Sequence, residues 1–158
     1  MNLPGRFLFS AVALITYSTL DHRVPQVTIP PGPYTVEQAA AGRAAYQANC
    51  ASCHRPDLSG ANEAPQLAGG NFMNAWRNRT TRDLFSYIKG AMPPANPGAL
   101  DDRTYINIVA YILQANGSVE GSRLLTPATT VAVGSVATGA PPRAPAQAAS
   151  TPACHLRV

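Results

Sequence analysis

Five consecutive residues, Cys50-Ala51-Ser52-Cys53-His54, bring two thiols and an imidazole into little more than one helical turn. Thiols at that separation can reach two adjacent vinyl groups on one porphyrin edge, and the next residue then swings its ring beneath the iron. Cys-x-x-Cys-His is therefore the attachment signature of a c-type haem, with two thioether bonds and one axial nitrogen supplied by five residues. Three other chemistries use parts of the set. A thioredoxin-like pair needs a strand-helix-strand setting and a low-pKa thiolate, whereas the flanking pattern is helical. Zinc needs two further ligands, and the spare ones, Cys154 and His155, stand roughly 100 residues away. A disulfide suits an exported chain but leaves His54 without a role.

A thioether opposite the histidine raises the iron potential and suits electron transfer. Met1, Met73 and Met92 are the candidates. Met1 is remote or removed. Met73 falls where a short helix is expected and where a flexible side chain serves to fill gaps. Met92 stands in Gly90-Ala91-Met92-Pro93-Pro94.

Helical elements must position these groups. Thr35-Val36-Glu37-Gln38 reads as a capping box, and the helix it starts runs to about Cys50, with Ala39, Gly42, Tyr46 and Cys50 on one face. Loop follows from Ser52 to Gly70. A short helix is expected after Asn71, including Trp76, and another from Thr81 to Lys89, stopped by Gly90 and the prolines. Asp101 caps a last helix, Asp102 to Ala115, that is apolar nearly all round and needs two surfaces to cover it, and Asn116-Gly117 supplies its stop.

The flanks read differently. Phe7 to Leu20 is a 14-residue apolar run after one cation, too short for the roughly 20 residues of a spanning helix and ordered like an export signal. Residues 1–20 are thus expected to be an export signal or an uncleaved anchor, placing the protein in the periplasm or otherwise outside the cytoplasm. Residues 21–34, with Pro25, Pro30, Pro31 and Pro33, form an extended lead-in. Between 126 and 153, Ala, Pro, Thr, Gly and Ser make 23 of 28 residues, so 118–158 reads as a disordered tail. The folded unit is then 35–117, small enough that a bound cofactor would help it stay folded. His22 is assigned a solvated position, and Cys154 a chance thiol able to pair between chains.

The chain carries 12 Lys and Arg against 8 Asp and Glu, but residues 37–117 hold seven cations against six carboxylates. No basic face with interleaved aromatics appears, which argues against nucleic acid as a partner. Nor is there a paired-carboxylate, nucleophile-base or phosphate-loop arrangement; Gly69-Gly70 is a weak signal.

Beyond the haem motif, residues 35–117 resemble the class I cytochromes c. Gly42 and Tyr46 match that family's contact between first and terminal helices, with Tyr111 as the partner. The resemblance makes Pro65 the proline whose carbonyl orients His54, and Met92 the sixth ligand, in a loop stiffened by Pro93. Within the family, the segments Asn71 to Trp76, Asp83 to Ile88, Met92 to Gly98 and Ile108 to Leu113 are similar to cytochrome modules associated with pyrroloquinoline-quinone-dependent alcohol dehydrogenases.

The resemblance implies an all-α class I cytochrome c fold, three main helices around one covalent haem c held by Cys50, Cys53, His54, Pro65 and Met92, with iron ligated by His54 and Met92. It implies a single-electron carrier that is not itself an enzyme. Its partners would be a pyrroloquinoline quinone dehydrogenase as donor and a terminal oxidase or another cytochrome as acceptor, with membrane contact only through an uncleaved N-terminus. The rival readings are a haem enzyme or gas sensor with an open sixth position, and a structural or tethered subunit that binds through its flanks.

Overall fold

A computed structural model describes residues 30–141. The export segment, most of the lead-in, and the residues beyond 141 with Cys154 and His155 lie outside the described residues.

Helix α1 spans Val36–Asn49 and begins at the expected box: Thr35 Oγ1 accepts from the Gln38 N–H, and Gln38 Oε1 accepts from the Thr35 N–H. Four short or medium helices follow, α2 (Ala51–His54), α3 (Gly70–Trp76), α4 (Thr81–Ala91) and α5 (Asp102–Ala115). A second capping box opens α4, where Asp83 and Thr80 satisfy each other's N–H groups. Asp101 caps α5 by accepting from the Thr104 N–H at 2.9 Å.

The main packing is α1 against α5. A Cβ placed on Gly42 would sit 1.8 Å from the Asn107 carbonyl oxygen, so only glycine lets the two backbones come this close. One turn further, the Tyr46 and Tyr111 rings meet at 5.3 Å, tilted by 53°. The rest of α5 is buried from Ile108 to Leu113, and α4 covers part of it through the Leu84, Phe85 and Ile88 face. Both apolar surfaces of α5 are thus used, as its composition requires. Among the described residues no helix is long and apolar enough to cross a membrane.

The structure corrects the expected boundary of the folded unit. Residues 118–140 do not leave the domain at Gly117; they run back over it as a strap. The Tyr34 hydroxyl donates to the Ser118 carbonyl at 2.6 Å, and Pro31 pairs with Val119 in a parallel bridge. Further along, Thr81 N–H donates to the Val131 carbonyl, Val133 N–H to Arg79 and Gly134 N–H to Arg77, and a last short helix, α6 (Val133–Val136), follows. Leu125, Val133, Val136 and Ala137 are buried. The physical reason is that a few apolar residues spaced among small ones bury fully, while the strap's backbone groups pair with those of the chain at 77–81.

Candidate haem site

Helix α1 ends as the Cys50 N–H donates to the Tyr46 carbonyl at 2.8 Å, and the Cys50 carbonyl then accepts from both Cys53 and His54 N–H groups at 3.2 and 3.0 Å. That single turn sets the two cysteines and the histidine on one short rigid element. Neither cysteine is bonded to the other; Cys50 is half-buried and Cys53 exposed. Burial, with a smaller contribution from Cys53, pushes the Cys50 thiol up to about 11. The elements around the pair are helical, not the strand-helix-strand setting that a thioredoxin-like pair needs. Among the described residues no group of three or more His, Cys, Asp or Glu side chains could hold a metal ion, which leaves a zinc site without geometry there.

His54 is 7% exposed, and its Nδ1 lies 2.9 Å from the Pro65 carbonyl oxygen. A carbonyl only accepts, so Nδ1 carries the hydrogen and the Nε2 lone pair is free for a metal. The loop that delivers this carbonyl is closed on itself. Gly60 N–H donates to the His54 carbonyl at 3.0 Å, Leu67 N–H to Leu58 at 2.9 Å, and Ala61 and Ala64 exchange bonds of 3.1 and 2.8 Å. Immediately after the histidine, Arg55 holds φ 63° and ψ 155°, a region nearly reserved for glycine that costs about 1–3 kcal/mol. The Tyr46 hydroxyl, donating to the Arg55 carbonyl at 2.7 Å, helps to hold the chain there.

The two methionines occupy different settings. Met73 is 3% exposed within the hydrophobic core, beneath the strap: a Cβ on Gly139 would come 2.7 Å from its Cγ. Met92 terminates α4 and is partly buried, packed against the same core as Cys50, Trp76 and Leu100. Its N–H donates to Ile88 at 2.9 Å, and its carbonyl accepts from the Tyr105 hydroxyl at 2.6 Å. The structure therefore brings Cys50, Cys53, His54 and Pro65 together on one local unit. Met92 comes from the α4–α5 connection, anchored at both backbone groups. Of two surface concavities, one of about 550 Å³ abuts the outer side of the loop that carries Pro65, lined by Leu58, Gln66 and Gly69 together with Arg43 and Tyr111, and one of about 710 Å³ lies apart from the site, beside Gln38 and Arg103.

The donor set fits a haem: two free thiols, a buried imidazole with its tautomer fixed by Pro65, and a partly buried thioether. Sequence reasoning missed three supports. Tyr105 reads as one more apolar position of α5, although a buried phenol implies a hydrogen-bond partner, and that partner is Met92. The Tyr46 hydroxyl bond to Arg55 joins residues nine apart across an irregular turn, with no pattern to announce it. Asn116, read as a helix stop, reaches the loop beyond Pro65.

The family described as cytochrome c oxidase, cbb3-type, subunit III matches residues 37–112. Cytochrome c-555 of Chlorobaculum tepidum is 36% identical over 83 residues, covering 48% of this chain and 74% of that protein. Among solved structures, the sulfane dehydrogenase SoxCD of Paracoccus pantotrophus aligns with a TM-score of 0.48 at 24% identity, over 72% of this chain and 63% of that one.

Proposed function

The chain belongs to the cytochrome c family and is an electron carrier with covalent haem c, and on that premise we propose that Cys50 and Cys53 anchor the haem, His54 and Met92 are its axial ligands, and an exported quinoprotein dehydrogenase is its electron donor. When bound, the haem supplies a reversible Fe(III)/Fe(II) couple that accepts one electron and returns one. The protein's part is to keep both axial donors fixed so that little rearranges between the two states. The observation that carries the reading is the His54 Nδ1 to Pro65 carbonyl distance of 2.9 Å beside two free cysteines. This bond fixes the ring, raises the basicity of its other nitrogen and leaves that nitrogen a single task. Met92 is favoured over Met73 because Met73 is fully occupied by core packing, whereas Met92 sits at a helix end with its backbone held from both sides.

Support for the donor comes from the likeness of the Asn71–Trp76, Asp83–Ile88 and Met92–Gly98 segments to modules associated with pyrroloquinoline-quinone dehydrogenases, and a terminal oxidase or another cytochrome would accept the electron. The test is stopped-flow mixing of oxidised holo-protein with a substrate-reduced pyrroloquinoline quinone dehydrogenase from the same organism, over a salt series. Reduction within the dehydrogenase turnover time is expected, slowed only modestly by salt because residues 37–117 are nearly neutral. No reduction on that timescale would remove the dehydrogenase and leave a carrier for another donor.

A further inference from the structure

Asn116 caps α5, is fully buried, and uses every polar atom of its side chain. Its Oδ1 accepts from the Gly69 N–H at 2.9 Å, while Nδ2 donates to the Leu67 carbonyl at 2.9 Å and to the Ile112 carbonyl at 2.8 Å. Its own carbonyl accepts from the Thr138 and Gly139 N–H groups, both at 2.9 Å. A helix stop requires neither of the bonds to Leu67 and Gly69. These bonds join the end of α5 to the loop just past Pro65, and the carbonyl bonds join the same point to the strap.

The Pro65 carbonyl is therefore held from two directions. On one side the loop closes through Leu67 N–H to Leu58. On the other, Asn116 grips Leu67 and Gly69, two and four residues beyond Pro65. The strap runs close by on this side as well: a Cβ added at Gly139 would come within 3.3 Å of the Gly69 carbonyl oxygen.

We propose that Asn116 is a positioning residue for the axial histidine: by fixing Leu67 and Gly69 to α5, it sets the approach of the Pro65 carbonyl to His54 Nδ1. The inference rests on the reading of His54 as an iron ligand. A carbonyl held close to Nδ1 makes the imidazole a better electron donor and favours the ferric state. Releasing it weakens the donor and raises the potential. Loss of a direct outer partner of a ligating histidine changes affinity about 10–100-fold, and Asn116 acts one step further out, so a change of about three- to tenfold in the redox equilibrium constant is expected.

Full-length holo-protein is compared with Asn116→Ala, with Asn116→Gln, which keeps a neutral amide on a longer stem, and with Thr81→Val, which cuts the Thr81 hydroxyl bond to the Thr129 carbonyl, away from the 65–69 loop. The expected result is an upward shift of the potential in Asn116→Ala, a smaller one in Asn116→Gln, and none in Thr81→Val, with faster exchange of the Gly69 amide hydrogen in the alanine variant. Should Asn116→Ala fail to mature, Asn116→Gln decides. Unchanged potentials in the Asn116 variants, with stability lost, would reduce the residue to a structural cap and overturn the proposal. The ligand reading is tested separately in unaltered ferrous protein: His54 ring protons are expected at the strongly upfield NMR positions of an iron-bound imidazole. Their absence would overturn both inferences.

Discussion

Two irregular regions of this molecule are held together in opposite ways. The turn and loop from Cys50 to Leu67 close on themselves: His54 bonds to Pro65 eleven positions away, Gly60 to His54, and Leu67 to Leu58. The strap from 118 to 140 has almost no structure of its own and is held by distant partners, Tyr34 to Ser118, Gln38 to Leu125, Thr81 to Thr129, and Asn116 to Thr138 and Gly139. The first region places chemistry with short-range bonds. The second closes the core over what the helices leave exposed. Changes in the loop should thus be read mainly in the haem, and changes in the strap mainly in stability, with Asn116 as the point where the two regions meet.

The largest expected effect falls on the loop side. In the Cys50→Ala/Cys53→Ala double variant, acid-acetone extraction should find no covalent haem, and circular dichroism should show lost helix, because the α1–α5 pair and α4 alone leave a small core. Cooperative, native-like unfolding of that variant would mean that the fold stands without its cofactor.

The methionines sharpen the contrast. Met92→Ala should abolish the near-infrared band of thioether-ligated ferric haem and lower the potential. Met73→Ala should keep both and lose stability by about 2–5 kcal/mol, as a large-to-small change in a closed core. Optical spectra and thermal melts of both variants separate the outcomes. Loss of the band in Met73→Ala would exchange their roles.

Within the strap, Leu125→Ala should cost about 2–3 kcal/mol with the haem spectrum unchanged, since Leu125 is 2% exposed and lies against the start of α1. Denaturant melts followed at the haem band measure this. A stability equal to wild type would return the strap to the passive tail that its composition suggests.

A weaker effect concerns pH. Burial pushes the Tyr34 phenol from 10.0 up to about 12, against the hydrogen bond to Ser118 that lowers it and with Glu120 adding to the rise. The unfolded chain releases that proton first, so stability is intact below about pH 10 and falls as pH rises toward 12. Tyr34→Phe should flatten this part of the alkaline transition. The smallest effect expected is in Arg55→Gly, where relief of the positive-φ backbone competes with the entropy of an added glycine, for a net gain of about 0–2 kcal/mol.

The same contrast explains what the sequence could disclose. The cysteine and histidine spacing, the Thr35 box, the Asp101 cap and the Gly42 contact face are local or periodic signals, and the helices they announce are present. The strap was hidden because 23 of the 28 residues from 126 to 153 are Ala, Pro, Thr, Gly or Ser, a composition that reads as entropy. Three of the five exceptions, Val131, Val133 and Val136, carry the packing of this stretch, and only the chain at 77–81 and the face of α3 they meet give their irregular spacing meaning. Asn116 shows the same limit at a single residue. An asparagine at a helix end is an ordinary stop signal, and nothing local distinguishes it from one that also grips a loop 47 residues earlier in the chain.

The central claim is a closed iron site, with both axial positions filled by the protein and the haem used only to carry electrons. Addition of carbon monoxide to the fully reduced holo-protein at neutral pH, followed by optical absorption, tests it most directly. A spectrum unchanged over minutes is the result expected of His54 and Met92 both bound. Rapid conversion to a carbon monoxide adduct would show an open sixth position and would make the protein a ligand-binding haem protein.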